Sequence, residues 1–143
     1  MPTLLLPALM VQDPWITLIE RGDKDIELRT WVWKHRGDTV FAASKGRKER
    51  ELHPDVNGER QVTRCIVDLH DIREAKLADA ERAGLTPSRM REYLAAQRAV
   101  GTTVHAWLLQ NVRPMPRIHV AGKLGPFKLE LSDEIQRAVN GCT

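Results

Sequence analysis

Apolar residues recur at every second position in several short runs of this chain, a spacing typical of half-buried β-strands. These runs, together with shorter continuous apolar runs, occupy residues 4–11, 26–31, 39–43, 61–72, 103–112, 118–120 and 127–131. Glycine, proline and aspartate separate most of them, as expected for turns. The pattern predicts a sheet of five to six strands, in which the last two runs are short strands.

Helical signals lie between the strands. Asp13 followed by Pro14 is typical of a helix N-terminus, and Gly22 predicts the end of this short helix. A second helix is predicted over residues 86–98, and Ser132 caps a final helical turn or two. Because the helices do not alternate regularly with the strands, the order favours an α+β fold, a small mixed β-barrel with peripheral helices, over βαβ units.

The composition is that of a globular domain. The chain has 143 residues, of which 42% are hydrophobic and 29% are charged, enough for one domain with a buried core. No repeat or linker divides it, so we expect a single domain over residues 1–143 with a helical insert at about 74–100. The run over residues 4–11 is too short to span a bilayer and lacks the basic residues of a signal peptide. We therefore expect a cytoplasmic location and no membrane partner.

Charge and cysteine content narrow the function only slightly. The net charge of +3 permits a phosphate-bearing partner without requiring one. Cys65 and Cys142 are expected to be free thiols. The five histidines have no metal-site spacing, and no glycine loop of the phosphate-binding kind is present. No cofactor is therefore evident, and metal dependence and the choice between monomer and homodimer stay open.

One short segment concentrates reactive side chains. On a strand over residues 26–31, Glu27, Arg29 and Trp31 share one face, and Lys24 lies just before it. An aromatic ring can stack on a base while cations hold phosphate, a combination typical of single-stranded nucleic-acid sites. Glu27 can accept hydrogen bonds or take part in proton transfer. The structural alternative is an exposed, salt-bridged strand face.

Further candidates for nucleic-acid or nucleoside binding are aromatic, basic or hydroxyl residues in neighbouring segments: Trp15, Arg36, Ser44, Lys45, Arg47, Lys48, Trp107 and Lys123. Each has a structural alternative. The tryptophans are also typical core residues, and a basic run is often only a solvated face. Ser44 beside Lys45 is a possible nucleophile pair, or simply the last residue of a strand.

Four segments, in the right order, resemble the ASCH (activating signal cointegrator-1 homology) family of the PUA-like superfamily. They are Gln12–Trp15, the G-x-K-x-x-E-x-R run Gly22–Arg29, Arg36-Gly37 before a strand ending in Ala43-Ser44, and His105–Trp107 with Gly122–Gly125. The resemblance implies a PUA-like barrel that binds RNA or modified bases.

The resemblance implies three alternative functions. The first is binding of single-stranded RNA or a nucleotide with ribonuclease-like hydrolysis, in which Lys24, Glu27 and Arg29 are catalytic. The second is a non-catalytic reader of RNA or a modified base, or a transcription-coregulator module. The third is an amidohydrolase acting on N4-acylated cytidine nucleosides. That branch of the family has threonine where this chain has Glu27, so its nucleophile is absent here.

Overall fold

The computed structural model describes residues 4–48, 51–120 and 122–140. Its strands and helices, in chain order, are β1 (Leu4–Asp13), α1 (Trp15–Arg21), β2 (Ile26–Arg29), β3 (Gly37–Arg47), β4 (Thr63–Glu74), α2 (Pro87–Ala99), β5 (His105–Pro114), β6 (Phe127–Leu131) and α3 (Asp133–Asn140). Two 3-10 turns, Leu77–Asp79 and Glu81–Ala83, precede α2, and we refer to this helical segment between β4 and β5 as the insert.

The strands form one mixed sheet in the order β2-β5-β4-β3-β1-β6. β1 and β3 are parallel, and the other neighbours are antiparallel. The predicted α+β class with six strands is thus confirmed. Within the described residues the edge strands β2 and β6 do not pair with each other. The sheet is therefore open, and the predicted closure into a barrel is not observed.

The core lies on both faces of this sheet because alternate residues of a strand point in opposite directions. On β4, Cys65 and Val67 pack beneath α1 with Ile16. The intervening Ile66 points to the other face, where α3 contributes Val139. Burial raises the pKa of the Cys65 thiol to about 12, so this free cysteine is an inert core residue. Cys142 lies outside the described residues.

Some boundaries differ from the sequence prediction. β3 continues to Arg47, because Arg47 pairs with Asp13 of β1, and the predicted loop from residue 44 therefore starts later. β2 ends at Arg29 rather than at residue 31. The predicted strand over residues 118–120 is only a single bridge between Val62 and His119. Each difference depends on pairing with a distant segment, which alternation alone does not reveal.

The start of α1 also differs from the prediction. Asp13 does not cap the helix through its side chain; its carboxylate instead accepts hydrogen bonds from Thr17 Oγ1 and from Gly58 N at 2.9 Å. Arg64 of β4, only 3% exposed, donates to Thr17 Oγ1 at 2.9 Å and to Glu20 at 2.7 Å. This buried network fixes α1 against the sheet.

No helix in the described parts of the chain is both long and apolar enough to cross a membrane.

Candidate nucleotide-binding cleft

A cleft of about 770 Å³ lies between β2 and the insert. Side chains of β1, β2, β3 and α2 line it, together with segment 123–125. The lining residues that the sequence predicted as functional are Trp15, Lys24, Glu27, Arg29, Trp31, Ser44, Lys48 and Lys123. The cleft is large enough for a nucleotide, since small-molecule sites typically measure about 300–1,000 Å³.

Lys24 is the central cation of the cleft and is only 2% exposed. Its Nζ donates to the backbone oxygens of Ile26 at 2.6 Å and Ala83 at 2.7 Å, and lies 3.5 Å from Glu27 Oε1. It also lies 4.9 Å from the centre of the Trp15 ring, within cation–π range. Burial lowers the pKa of Lys24 from its ordinary value, while the Glu27 carboxylate opposes this shift. All three N–H groups of the ammonium therefore have partners.

The insert supplies one of these partners through a local turn. Gly84 ends the second 3-10 turn in the left-handed region, with φ at +80°. A β-carbon at Gly84 would lie 3.2 Å from Leu18 and 3.4 Å from Trp15, so the position favours glycine both for its φ and for space. This turn sets the Ala83 carbonyl toward Lys24. The lysine thus connects the insert to the start of β2.

Glu27 continues the charge network from Lys24 to Arg29. Its side chain is 6% exposed, and its Oε2 accepts a hydrogen bond from Arg29 Nε at 3.1 Å and forms an ion pair with Arg29 Nη2 at 3.0 Å. Arg29 Nη2 also donates to the Met10 carbonyl of β1 at 3.1 Å. The structure therefore brings Lys24, Glu27 and Arg29 together. They form a mostly buried charge network along the cleft, unlike the salt-bridged surface of the structural alternative.

Two tryptophans are among the aromatic residues of the lining. Trp15 and Trp31 are both half-buried and border the cleft. Trp107 is fully buried behind Trp31, with ring centroids 4.7 Å apart in a T-shaped contact, and its indole N–H donates to the Trp31 carbonyl. Trp107 is therefore a core residue that supports Trp31, and the expectation that it lines the cleft is wrong.

The predicted basic residues separate into two groups. Lys48 and Lys123 border the cleft. Lys45 is exposed outside the lining, and Arg36 donates to nearby backbone carbonyls on the surface. Arg47 is also outside, because its guanidinium is used by the carbonyls of the 53–56 loop. Only the first group is placed to contact a ligand in the cleft.

Sequence reasoning missed Tyr93 as a cleft residue. It belongs to α2, which contributes Tyr93 and Ala96 to the wall opposite β2. Burial raises the pKa of Tyr93, and the charge of Glu27 adds to this effect while Arg29 opposes it. The spacing of residues 89, 93 and 96 marks one helix face, but the sequence does not say that this face borders the cleft.

Two buried polar atoms in the lining have no hydrogen-bond partner within the described residues: Gln12 Oε1 and Ser44 Oγ. Buried polar atoms are usually satisfied, and an unmade bond costs about 1–3 kcal/mol. Both atoms are shielded from solvent, so a ligand in the cleft satisfies them only after a side-chain movement exposes them. Across residues 4–48, 51–120 and 122–140, no group of three or more histidine, cysteine or carboxylate side chains could hold a metal ion.

Comparison with known proteins agrees with the fold. The family model "ASCH domain" matches residues 9–115. A crystal structure of ASCH from Zymomonas mobilis is similar, with a TM-score of 0.62 at 13% identity, covering 94% of this chain and 93% of that chain. A tyrosine-to-phenylalanine mutant of that protein has a TM-score of 0.60 at 13% identity, covering 94% and 96%. The sequence matches no curated protein.

Lys24→Met removes three N–H donors while keeping an unbranched side chain. We expect the free energy of unfolding to fall by about 3 kcal/mol, because two buried carbonyls and a buried carboxylate lose a partner. Urea denaturation measures this change. The matched control Lys45→Met, at an exposed position, should stay within about 0.5 kcal/mol of wild type. An unchanged midpoint for Lys24→Met would contradict the structural role.

The lowered pKa of Lys24 adds a pH signature to this experiment. Below its ordinary pKa of 10.5, the folded protein binds fewer protons at Lys24 than the unfolded chain. The difference in proton binding contributes to the free energy of unfolding. This contribution is fully present above pH 10.5 and is lost as the pH falls through the pKa of Lys24 in the folded protein. The stability difference between wild type and Lys24→Met should therefore widen as the pH rises from about 7 toward 10.

Proposed function

Because this chain belongs to the ASCH domain family, whose members generally bind RNA, we propose that its cleft binds a nucleotide of single-stranded RNA and hydrolyses the adjoining phosphodiester. One observation carries the proposal: a cleft of nucleotide size combines two aromatic rings with a buried carboxylate held between two cations. Stacking platforms beside cations are the common means by which proteins hold single-stranded nucleic acid.

The base occupies the inner part of the cleft in this proposal. Trp15 and Trp31 offer ring surface, and stacking on an aromatic side chain is worth about 1–3 kcal/mol per base. The free Gln12 Oε1 accepts a hydrogen bond from a base amine or imide, and the Ser44 hydroxyl can donate or accept one. These contacts give the unpartnered atoms of the wall a role in holding the base.

The phosphate lies toward the rim of the cleft, where the exposed cations are. Lys48 and Lys123 are exposed at the border of the cleft, and the Arg29 side chain is 24% exposed. Such cations also stabilise the charge that develops on phosphorus during cleavage. Lys24 is less suited to this task, because its three N–H groups are already engaged. We assign it the role of a positioning residue that holds Glu27.

The first step of this hydrolysis is an internal transesterification, which leaves a 2′,3′-cyclic phosphate that water opens in a second step. Glu27 accepts the proton of the ribose 2′-hydroxyl while the 2′-oxygen forms a bond to phosphorus. The bond between phosphorus and the 5′-oxygen breaks, and Tyr93 gives its proton to that leaving oxygen. The Tyr93 phenol is protonated near neutral pH, as a proton donor must be, although its raised pKa makes it a weaker acid than an exposed tyrosine. Arg29, next to Glu27, stabilises the charged transition state.

A non-catalytic reader is the second candidate, and the contacts of Glu27 favour it. One carboxylate oxygen faces Lys24, and the other accepts a hydrogen bond from Arg29 Nε and forms an ion pair with its Nη2. In a reader, these contacts hold the cleft in shape and no proton transfer is needed. Amidohydrolysis has less support: Ser44 offers a free hydroxyl, but no base within the described residues lies at hydrogen-bond distance from it.

Glu27→Gln and Tyr93→Phe test the chemical step. On a labelled, unstructured oligoribonucleotide, each change should lower the cleavage rate by about 100-fold or more, since general acid–base groups contribute roughly that much. Gel analysis of the products measures the rate, and fluorescence anisotropy measures binding. The control Glu130→Gln, on the exposed surface of β6, should cleave like wild type. Undiminished cleavage by both cleft variants would refute the proposed pair. Binding by wild type without cleavage would favour the reader.

Lys48→Ala and Lys45→Ala form a matched pair for phosphate contact. Both lysines are exposed and three residues apart, but only Lys48 borders the cleft. Each phosphate contact to a single strand contributes about 0.7 to the slope of log affinity against log salt concentration. Lys48→Ala should lower this slope by about that amount, whereas Lys45→Ala should leave it unchanged. Equal effects of the two changes would show that only overall charge matters.

A further inference from the structure

Helix α2 separates the cleft from a second concave surface. This groove measures about 440 Å³ and is lined by α2 together with segments 74–77 and 102–104. Met90 is the only buried residue of α2. Both long sides of the helix therefore border open grooves, an unusual position for a helix that only covers a core.

The two faces of α2 follow from helical geometry. Successive residues are turned by about 100°, so residues 89, 93 and 96 share one face and residues 91, 94 and 98 share the opposite one. The first face borders the cleft, and the second borders the groove. The insert thus forms a common wall between two potential contact surfaces for one ligand.

The groove is positively charged. Its lining contains Lys76, Arg91 and Arg98 against the single carboxylate of Glu74. Arg91 and Arg98 are exposed, and no ion pair is seen for either of them within the described part of the chain. They lie seven residues apart, or about 10 Å along the helix axis. Two such guanidinium groups match a chain of phosphates, which arginine binds well.

The side of α2 that faces solvent, between the two grooves, carries mostly small side chains. Ser88, Ala95 and Ala99 are exposed there, and their side chains are small. Glu92 is also on this side, but Arg89 Nη1 lies 3.6 Å from its carboxylate and offsets its charge. A strand that leaves the cleft therefore meets small side chains and one charge-compensated glutamate as it crosses the helix.

We infer that the groove is a second phosphate-binding site, which holds the backbone of the RNA strand after it has crossed α2 from the cleft. The inference rests on the proposed function, because it needs a strand anchored by one nucleotide in the cleft. Arg91 and Arg98 contact phosphates and do not contact bases. The site therefore increases the number of nucleotides that the protein contacts and adds affinity that does not depend on sequence.

The Arg91→Ala/Arg98→Ala double variant tests this site. Both positions are exposed, and alanine is the best helix former, so the fold should be kept. Binding is measured over a range of salt concentrations for a uridine dinucleotide and an oligouridylate of about ten nucleotides, the latter within the range of single-strand site sizes. Both carry 2′-O-methyl groups, so the proposed cleavage cannot break them. For the oligomer, the slope of log affinity against log salt should fall by about 1.4; for the dinucleotide it should not change.

The double variant Lys34→Ala/Lys128→Ala is the charge-matched control, since both lysines are exposed and border neither groove. It should bind the oligomer with the wild-type slope. If wild type binds the oligomer and the arginine variant has the same slope, the second site is refuted while the cleft stands. Equal losses in both double variants would also refute it. If wild type binds neither RNA, the proposed function fails and the second site fails with it.

Discussion

The cleft depends on the need of one buried ammonium for three hydrogen-bond partners. An unpaired charge in a protein interior is unfavourable by several kcal/mol, so Lys24 is tolerated only where acceptors surround it. One acceptor comes from β2, one from the Glu27 side chain and one from the turn at Ala83, 59 residues further along the chain. Satisfying this single group therefore fixes the insert against the sheet edge and forms the walls of the cleft at the same time.

Much of the sheet and the centre of the site could be predicted from the sequence because they depend on local spacing. Alternating apolar residues indicated the strands, and Lys24, Glu27 and Arg29 lie within six positions of one another. What could not be predicted depends on distant contacts. Tyr93 reaches the cleft only because the insert folds over β2.

Distant contacts also explain why some expectations from the sequence differ from the structure. Arg47 looked like a phosphate ligand, but its donors are used by the 53–56 loop. Trp107 looked equally suited to a cleft and to a core, and only packing against Trp31 decides for the core. The openness of the sheet is likewise a property of the pairing order, which alternation does not encode. Side-chain type thus indicated the candidate residues, while tertiary packing decided which of them border the cleft.

We propose that a nucleotide binds between Trp15, Trp31 and the Lys24–Glu27–Arg29 network. Titration of isotope-labelled protein with uridine 5′-monophosphate, followed by NMR, tests this binding mode. We expect saturable shifts in the indole N–H signals of Trp15 and Trp31 and in the amides of residues 24–29. Shifts confined to the surface around Arg36 and Lys45, or no saturable shift at all, would contradict it.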